Sequence, residues 1–156
     1  MKIDYNYITD RFIKYCEMDT RSYPDNDAVP TSPGQVELLM ELKAELSRLG
    51  LEEVSYSAKD AYLVGKIPAT TKKKVSAIGF VAHVDTADYN SKNIKVKVHS
   101  NYAGNDLVLD SKHILRPKEF PSLKEVIGNT IFTASGDTLL GADDKAGIAG
   151  LLAMAK

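Results

Sequence analysis

The sequence predicts an α/β fold in which helices cover a central sheet. Residues Val75–Ala82 are almost continuously apolar, a pattern typical of a strand that is buried on both faces. Three other segments carry apolar side chains at helical spacing, two before this strand and one after it. Shorter runs of strand-forming residues lie between these segments and predict additional strands. A sheet with helices packed on it follows from these observations.

The composition is that of a globular protein and excludes several function classes. The 156 residues can bury the core of one ordinary domain, and 44% of them are hydrophobic and 26% charged. Lysine and arginine number 20 against 21 acidic residues, so the net charge of -1 gives no reason to expect nucleic acid or a membrane as a partner. No signal peptide or membrane-spanning run is visible. We therefore expect a cytoplasmic protein.

The single cysteine, Cys16, excludes an internal disulfide and a cysteine-rich zinc site. It shares one face of the first predicted helix, Tyr5–Met18, with Ile8, Phe12 and Tyr15. We interpret Cys16 as a small core residue. The alternative is a reactive thiol, which would need a histidine or a basic cluster that is not found near it in the sequence.

The second predicted helix has the clearest start signal in the chain. Ser32 and Gln35 have the spacing of a capping box, and a proline between them occupies the first helical position. Gly50 is placed to end this helix in a left-handed conformation. The third helix is an apolar run that begins at Lys145 and reaches Lys156 without a capping residue, as expected of a truncated chain.

The remaining predicted elements are short. The strand predictions cover, in chain order, Val54–Ala58, Tyr62–Ile67, the central Val75–Ala82, a half-exposed strand at Ile94–Val98, a weaker signal at Leu107 and Leu109, and a hairpin of Thr130–Ala134 and Thr138–Leu140 with its turn at Ser135–Asp137. A short helix is expected from Ser122 to Gly128, because Ser122 and Glu125 have the spacing of a second capping box.

The first candidate for chemistry directly follows the predicted central strand. His83 and Asp85 point to the same side if the backbone stays extended, because side chains alternate along a strand. A carboxylate beside an imidazole fixes the tautomer and orientation of the ring and makes it a better metal ligand. The ends of strands are also where α/β proteins place their sites. The alternative is a strand end with two solvated polar residues, and the pair alone does not exclude it.

The second candidate is a pair of adjacent carboxylates, Asp143 and Asp144, that precede the third helix. Both lie at the positive end of the helix dipole, so simple N-capping is one interpretation. The other is that a carboxylate held there bridges two divalent cations, an arrangement that activates water against an amide. The other two histidines, His99 and His113, lie in polar surroundings, and we interpret them as surface residues.

These motifs together resemble the dizinc metallopeptidase family, which includes aminopeptidases, glutamate carboxypeptidases and acyl-amino-acid deacylases. The family shares the His-x-Asp motif, found here at His83–Asp85, and the aspartate that precedes x-Lys, found here at Asp143. The strongest single piece is Gly136–Ala149. The surrounding residues are similar to the tripeptide aminopeptidases of the family, among them Pro30–Gln35, Ala82–Asp88 and Tyr102–Asp106.

The resemblance implies a fold and a set of site residues. The fold would be a mixed, largely parallel sheet flanked by helices, with residues 1–156 forming the N-terminal part of the catalytic domain. His83 would bind one zinc ion, and Asp143 would bridge two. Asp85 would be catalytic without binding metal, accepting a hydrogen bond from the His83 ring. In the family the peptide bond after the bridging aspartate is cis, so we predict a cis bond between Asp143 and Asp144.

Family members are more than twice as long as this chain. The resemblance therefore implies an N-terminal fragment that lacks the remainder of the catalytic domain and an inserted smaller domain. The missing parts would hold the general-base glutamate and the other metal ligands, so we expect the chain to be inactive alone. The intact protein would remove the N-terminal residue from tripeptides by metal-activated water, and short peptides would be its partners.

Two other functions stay open at this point. The first is a sibling activity on the same metals, a carboxypeptidase or a deacylase, because the residues that decide which end of the substrate is held are not in this sequence. The second is a non-catalytic module for metal binding or interaction, derived from an enzyme. The metal is open as well, since cobalt or manganese would suit the same histidine and carboxylate ligands as zinc.

Overall fold

The computed structural model describes residues 3–156, which form three α-helices, one 3₁₀ helix and six short strands. The helices are α1 (Tyr5–Cys16), α2 (Pro33–Arg48), the 3₁₀ helix (Pro121–Val126) and α3 (Ala142–Ala155). The strands are β1 (Glu52–Ser57), β2 (Tyr62–Lys66), β3 (Lys97–His99), β4 (Leu107–Val108), β5 (Ile114–Leu115) and β6 (Ile131–Thr133). None of the helices in this range is long and apolar enough to cross a membrane.

The strands form three separate two-stranded antiparallel sheets, β1–β2, β3–β6 and β4–β5. The chain thus mixes helices and strands as expected, but residues 3–156 do not form the largely parallel sheet. The one parallel pairing recorded in this range is an isolated bridge between Arg21 and Thr86. A hydrophobic pattern indicates that a strand is buried, but it does not indicate the strand with which it pairs.

The apolar segment Val75–Ala82 is not a strand in this structure. No pairing is recorded for it within the described residues, and Ile78 and Val81 are 80% and 88% exposed. Its last residue, Ala82, packs at the margin of the core, as does Val84, which follows the segment. The prediction of a buried central strand is therefore wrong for residues 3–156. Burial on both faces needs neighbours on both faces, and this part of the chain does not supply them.

The core lies where the three α-helices meet. Its larger cluster joins all three of them and consists of Tyr15, Leu38, Leu42, Ile148 and Leu152. A smaller cluster of Phe12, Cys16 and Ala149 joins α1 to α3, and Phe132 of β6 packs edge-on against Phe12 with ring centroids 5.2 Å apart. Cys16 is completely buried, which raises the pKa of its thiol to about 12 and confirms it as a core residue.

The helix boundaries agree closely with the sequence. Helix α1 begins at the predicted residue, with its first turn capped by the Asp4 carboxylate, which accepts a hydrogen bond from the Tyr7 amide at 3.1 Å. Helix α2 begins at the predicted proline, and Gly50 follows its end with a φ of 79°, the left-handed conformation that favours glycine.

The predicted capping box of α2 is wrong. The Ser32 hydroxyl makes no capping hydrogen bond, and it is buried without a partner. The Gln35 side chain instead donates to the backbone carbonyls of Thr20 and Arg21, at 3.3 and 3.1 Å, and to the Thr31 hydroxyl at 3.2 Å. These carbonyls belong to a distant segment, and competition from such a segment cannot be read from local spacing.

The predicted short helix at residues 122–128 exists as the 3₁₀ helix Pro121–Val126. It has no side-chain cap, so the capping box assigned to Ser122 and Glu125 is also wrong. The two strands predicted at Val54–Ala58 and Tyr62–Ile67 are present as β1 and β2, and the structure shows that they pair antiparallel, with Tyr56 opposite Leu63. Local patterns therefore located both elements.

The predicted hairpin around Ser135–Asp137 is wrong. Strand β6 pairs with β3, and Phe132 lies opposite Val98. After β6 the chain runs to the loop at Asn90, whose side-chain amide donates to the Asp137 carbonyl at 3.0 Å. The Leu139 amide donates to the Asn90 carbonyl at 2.9 Å. Turn residues predict that a chain changes direction, but they do not name its next partner.

Candidate metal centre

The candidate site lies where the segment after Ala82 meets the start of α3. The His83 Nε2 atom is 3.1 Å from Asp143 Oδ1, although the two residues are 60 positions apart in the sequence. Half of the His83 side chain is exposed, and 94% of the Asp143 side chain is. An exposed imidazole and carboxylate at this distance are accessible to a ligand from solvent.

Asp85 lies behind the His83 ring, as the alternation of side chains predicted. The Nδ1 atom of His83 is 3.1 Å from Asp85 Oδ1 and 3.0 Å from the Asp85 carbonyl oxygen. When Nδ1 carries the proton it donates to these oxygens, and Nε2 then presents its lone pair toward Asp143. The other Asp85 oxygen, Oδ2, accepts a hydrogen bond from the Ser22 hydroxyl at 2.8 Å.

Two carboxylates raise the pKa of the metal-free His83. Burial acts in the opposite direction, but the hydrogen bond with Asp143 and the contacts with Asp85 outweigh it, so the pKa lies above its ordinary value. The surroundings of the ring therefore favour a positive charge. The same electrostatic preference favours a bound cation at this position.

The start of α3 is held in place by a buried lysine and a glycine. Lys145 is fully buried, and its ammonium group donates to the Met18 carbonyl at 2.8 Å, which ties α3 to the end of α1. Gly141 has a φ of 74°, and a Cβ atom there would lie 3.1 Å from the Thr86 side chain. Close packing at Gly141 brings Asp143 next to the segment that carries His83.

The two adjacent aspartates have different surroundings. Asp143 and Asp144 lie within the bounds of α3 but have non-helical backbone angles, and Asp144 Oδ1 accepts a hydrogen bond from the Gly147 amide at 3.1 Å, as a helix-capping carboxylate does. Asp143 instead faces His83. The bond between the two aspartates is cis, as predicted from the resemblance. The capping interpretation of the sequence thus applies to Asp144 and leaves Asp143 for the site.

The donor atoms fit a divalent cation. One ligand atom from each of His83, Asp143 and Asp144 lies within 4.8 Å of the others. An imidazole nitrogen with carboxylate oxygens suits zinc, and also cobalt or manganese. The resemblance implies His83 and Asp143 as ligands and gives Asp144 no separate role. The structure brings all three together.

The other two histidines lie outside this cluster, as predicted. The His99 ring contacts the Thr133 hydroxyl at 3.0 Å in the β3–β6 sheet. The His113 ring contacts Asp110 Oδ2 at 2.8 Å beside β5, and this hydrogen bond, with those from the Lys112 and His113 amides, lowers the pKa of the Asp110 carboxyl to about 2. His99 is partly buried, half of the His113 side chain is exposed, and neither ring belongs to the metal cluster.

The chain is similar in sequence to known proteins. It is 43% identical over 150 residues to the peptidase T of Streptococcus pyogenes serotype M1. The peptidase T proteins of serotype M5 (strain Manfredo) and serotype M3 (strain SSI-1) are equally similar. The chain resembles peptidase T. The match covers 95% of this chain and confirms the resemblance that the motifs indicated. No family model matches.

The chain spans 37% of the length of the peptidase T sequences that it matches. Its similarity to them is therefore a similarity to part of a larger protein.

Proposed function

We propose that this chain is the N-terminal part of the catalytic domain of a metal-dependent aminopeptidase that removes the N-terminal residue from tripeptides. The observation that carries the proposal is the contact of 3.1 Å between His83 Nε2 and Asp143 Oδ1, with Asp85 behind the ring. A chain 43% identical to peptidase T over 150 residues supports the same assignment.

Each of the three residues has a distinct task in this proposal. His83 and Asp143 hold the metal, through the ring nitrogen Nε2 and the carboxylate. Asp85 accepts a hydrogen bond from the Nδ1–H group of His83 and so keeps the lone pair of Nε2 directed at the metal position. Zinc, when bound, supplies a Lewis acid and favours the attack of water on a peptide carbonyl.

His83 and Asp143 alone do not complete a catalytic centre, which commonly has three protein ligands for each zinc ion. Asp144 is a further candidate, because its ligand atom is within 4.8 Å of the other two. The proposal places the remaining ligands and the general-base glutamate in the part of peptidase T that this chain does not span. The 156 residues by themselves are then expected to be inactive.

The proposed metal is zinc, with cobalt or manganese as substitutes that the same ligands accept. The proposed partners are short peptides, and neither nucleic acid nor a membrane is among them. The near-neutral charge and a single cysteine, which is buried, support a cytoplasmic setting.

The test of this proposal is metal-dependent hydrolysis of a tripeptide by the full-length protein. We expect hydrolysis that a chelator abolishes and zinc restores. His83→Ala should lower the rate by more than the roughly 10- to 100-fold that loss of an outer-shell partner costs.

His113→Ala is the matched control, because its ring also contacts an aspartate but lies outside the metal cluster. It should leave the rate unchanged. Hydrolysis that survives both the chelator and His83→Ala would contradict the proposal.

A further inference from the structure

A polar segment between α1 and α2 contacts Asp85 beside the candidate metal centre. Its backbone runs beside Thr86, the residue that follows Asp85. The Thr86 amide donates to the Thr20 carbonyl at 3.0 Å, and the Ser22 amide donates to the Thr86 carbonyl at 2.9 Å. These two bonds make the isolated parallel bridge between Arg21 and Thr86.

The bridge brings the Ser22 hydroxyl to Asp85. The Ser22 Oγ atom donates to Asp85 Oδ2 at 2.8 Å, while Asp85 Oδ1 faces the His83 ring at 3.1 Å. The carboxylate is therefore held at both of its oxygens by different partners. Without the hydroxyl, one oxygen loses its partner and the carboxylate can rotate away from the ring.

The position of Ser22 is fixed from the other side as well. The buried Gln35 amide of α2 donates to the carbonyls of Thr20 and Arg21, the two residues before Ser22. The Arg21 guanidinium also pairs with Asp88 at 2.6 Å, which joins the same two segments a second time. The segment thus has contacts with α2 on one side and with residues 86–88 on the other.

We propose that Ser22 is a positioning residue of the metal centre, which orients Asp85 and through it the metal-binding face of His83. The order of contacts is Ser22 Oγ to Asp85 Oδ2, Asp85 Oδ1 to His83 Nδ1, and His83 Nε2 to Asp143 Oδ1. This inference rests on the proposed function for the identity of the site. Partners of metal-binding histidines commonly influence metal affinity in this way.

The test compares Ser22→Thr with Ser22→Val in the full-length protein. Threonine and valine have nearly the same shape, and only threonine keeps the hydroxyl. This pair remains informative even if Ser22→Ala does not fold. The readouts are the dissociation constant for zinc, measured by competition with a chelator, the absorption spectrum of the cobalt-loaded protein, and kcat and KM for a tripeptide.

We expect Ser22→Val to raise the zinc dissociation constant about 10-fold, to shift the cobalt spectrum and to lower kcat more than it changes KM. Ser22→Thr should stay close to the unsubstituted protein in all three. Ser57→Ala is the matched control, because it removes another serine–aspartate hydrogen bond, to Asp60 at 3.0 Å, beside β1. It should change none of the readouts.

Equal zinc affinity and equal cobalt spectra for the Thr and Val variants would overturn the inference while leaving the proposed function intact. A protein that binds zinc, shows the difference between the two variants and hydrolyses no peptide would support the role of Ser22 and contradict the proposed function. A full-length protein that binds no metal would overturn both.

Discussion

At the scale of single residues, the two adjacent aspartates differ in their contacts, and in the proposed site Asp143 is the one that faces His83. Asp144 accepts the Gly147 amide at 3.1 Å, whereas the Asp143 side chain is 94% exposed and faces His83. From the sequence alone, either aspartate could cap the helix while the other faces His83. The hydrogen bonds assign the capping role to the second aspartate.

Substitution separates these roles. Asp144→Ala should lower the free energy of unfolding by about 1 kcal/mol through loss of the cap, and Asp144→Asn should restore most of it. Asp143→Ala should leave the stability of the metal-free protein unchanged and should abolish tight zinc binding. Urea unfolding and zinc titration of the three variants measure this. A larger loss of stability from Asp143→Ala than from Asp144→Ala would contradict the assignment.

The buried thiol of Cys16 should be unreactive in the folded protein. It is fully buried, and burial raises its pKa to about 12, so the thiolate is scarce at neutral pH. We expect no labelling by iodoacetamide at pH 8 in buffer and complete labelling in denaturant. Rapid labelling under native conditions would show that Cys16 is not a core residue.

Residue-scale features differed in how far the sequence predicted them. The contact of His83 with Asp85 follows from the alternation of side chains over two positions. The approach of Asp143 to His83 came from the resemblance, because nothing local joins them. Ser22 was missed, since it lies 63 positions from Asp85 and a serine in a polar loop carries no signal of its own.

At the scale of elements, a buried carboxylate joins α1 to α2. Glu45 of α2 accepts hydrogen bonds from the Tyr7 hydroxyl at 2.7 Å and from Arg11 at 2.8 Å, and it pairs with Arg48 at 2.5 Å. Burial acts to raise the Glu45 pKa, but the hydrogen bonds from Tyr7 and Arg11 and the arginine charges lower it below its ordinary value of 4.5.

The Glu45 contacts should make stability depend on pH in the acid range. Because its pKa is lowered by folding, the stabilisation is complete above the ordinary pKa of 4.5 and is lost as the pH falls through the lower value of the folded protein. Glu45→Gln should cost about 2 kcal/mol at pH 7. The difference from the unsubstituted protein should shrink below pH 4.5, as measured by urea unfolding. A constant difference down to pH 2 would contradict this.

Helices and strands could be predicted where residues close together in the sequence determine them. The bounds of α1 and α2 follow from the spacing of apolar residues and from Pro33 and Gly50. The pairing of β6 with β3 did not follow, because the residues of a short strand are compatible with several partners. The capping box at Ser32 and Gln35 failed for a related reason, because the Gln35 amide donates to the distant carbonyls of Thr20 and Arg21.

At the scale of the whole molecule, the helical core and the apolar segment Val75–Ala82 differ in burial. Leu38 is completely buried between the helices, whereas Val81 is 88% exposed. The sequence could not distinguish them, because both residues lie in strongly apolar patterns. Leu38 is buried because the other helices pack against its face of α2, whereas Val81 lacks such neighbours within residues 3–156.

This difference predicts unequal costs of substitution in the 156-residue chain. Leu38→Ala should lower the free energy of unfolding by about 2–5 kcal/mol, since it leaves a cavity in the core. Val81→Ser should change it by less than about 0.5 kcal/mol, as exposed positions do. Urea unfolding of both variants tests this. A cost for Val81→Ser similar to that for Leu38→Ala would mean that the segment is a buried strand after all.

The central claim, that the intact protein is a metal-dependent tripeptide aminopeptidase, is tested most directly by its choice of substrate. The full-length protein, loaded with zinc or cobalt, would be given a free tripeptide, a dipeptide and an N-acetylated tripeptide. We predict release of the N-terminal residue from the free tripeptide alone, and loss of this activity in His83→Ala. Cleavage at the carboxyl end or removal of the acetyl group would instead indicate a sibling activity, and bound metal without hydrolysis would contradict the claim.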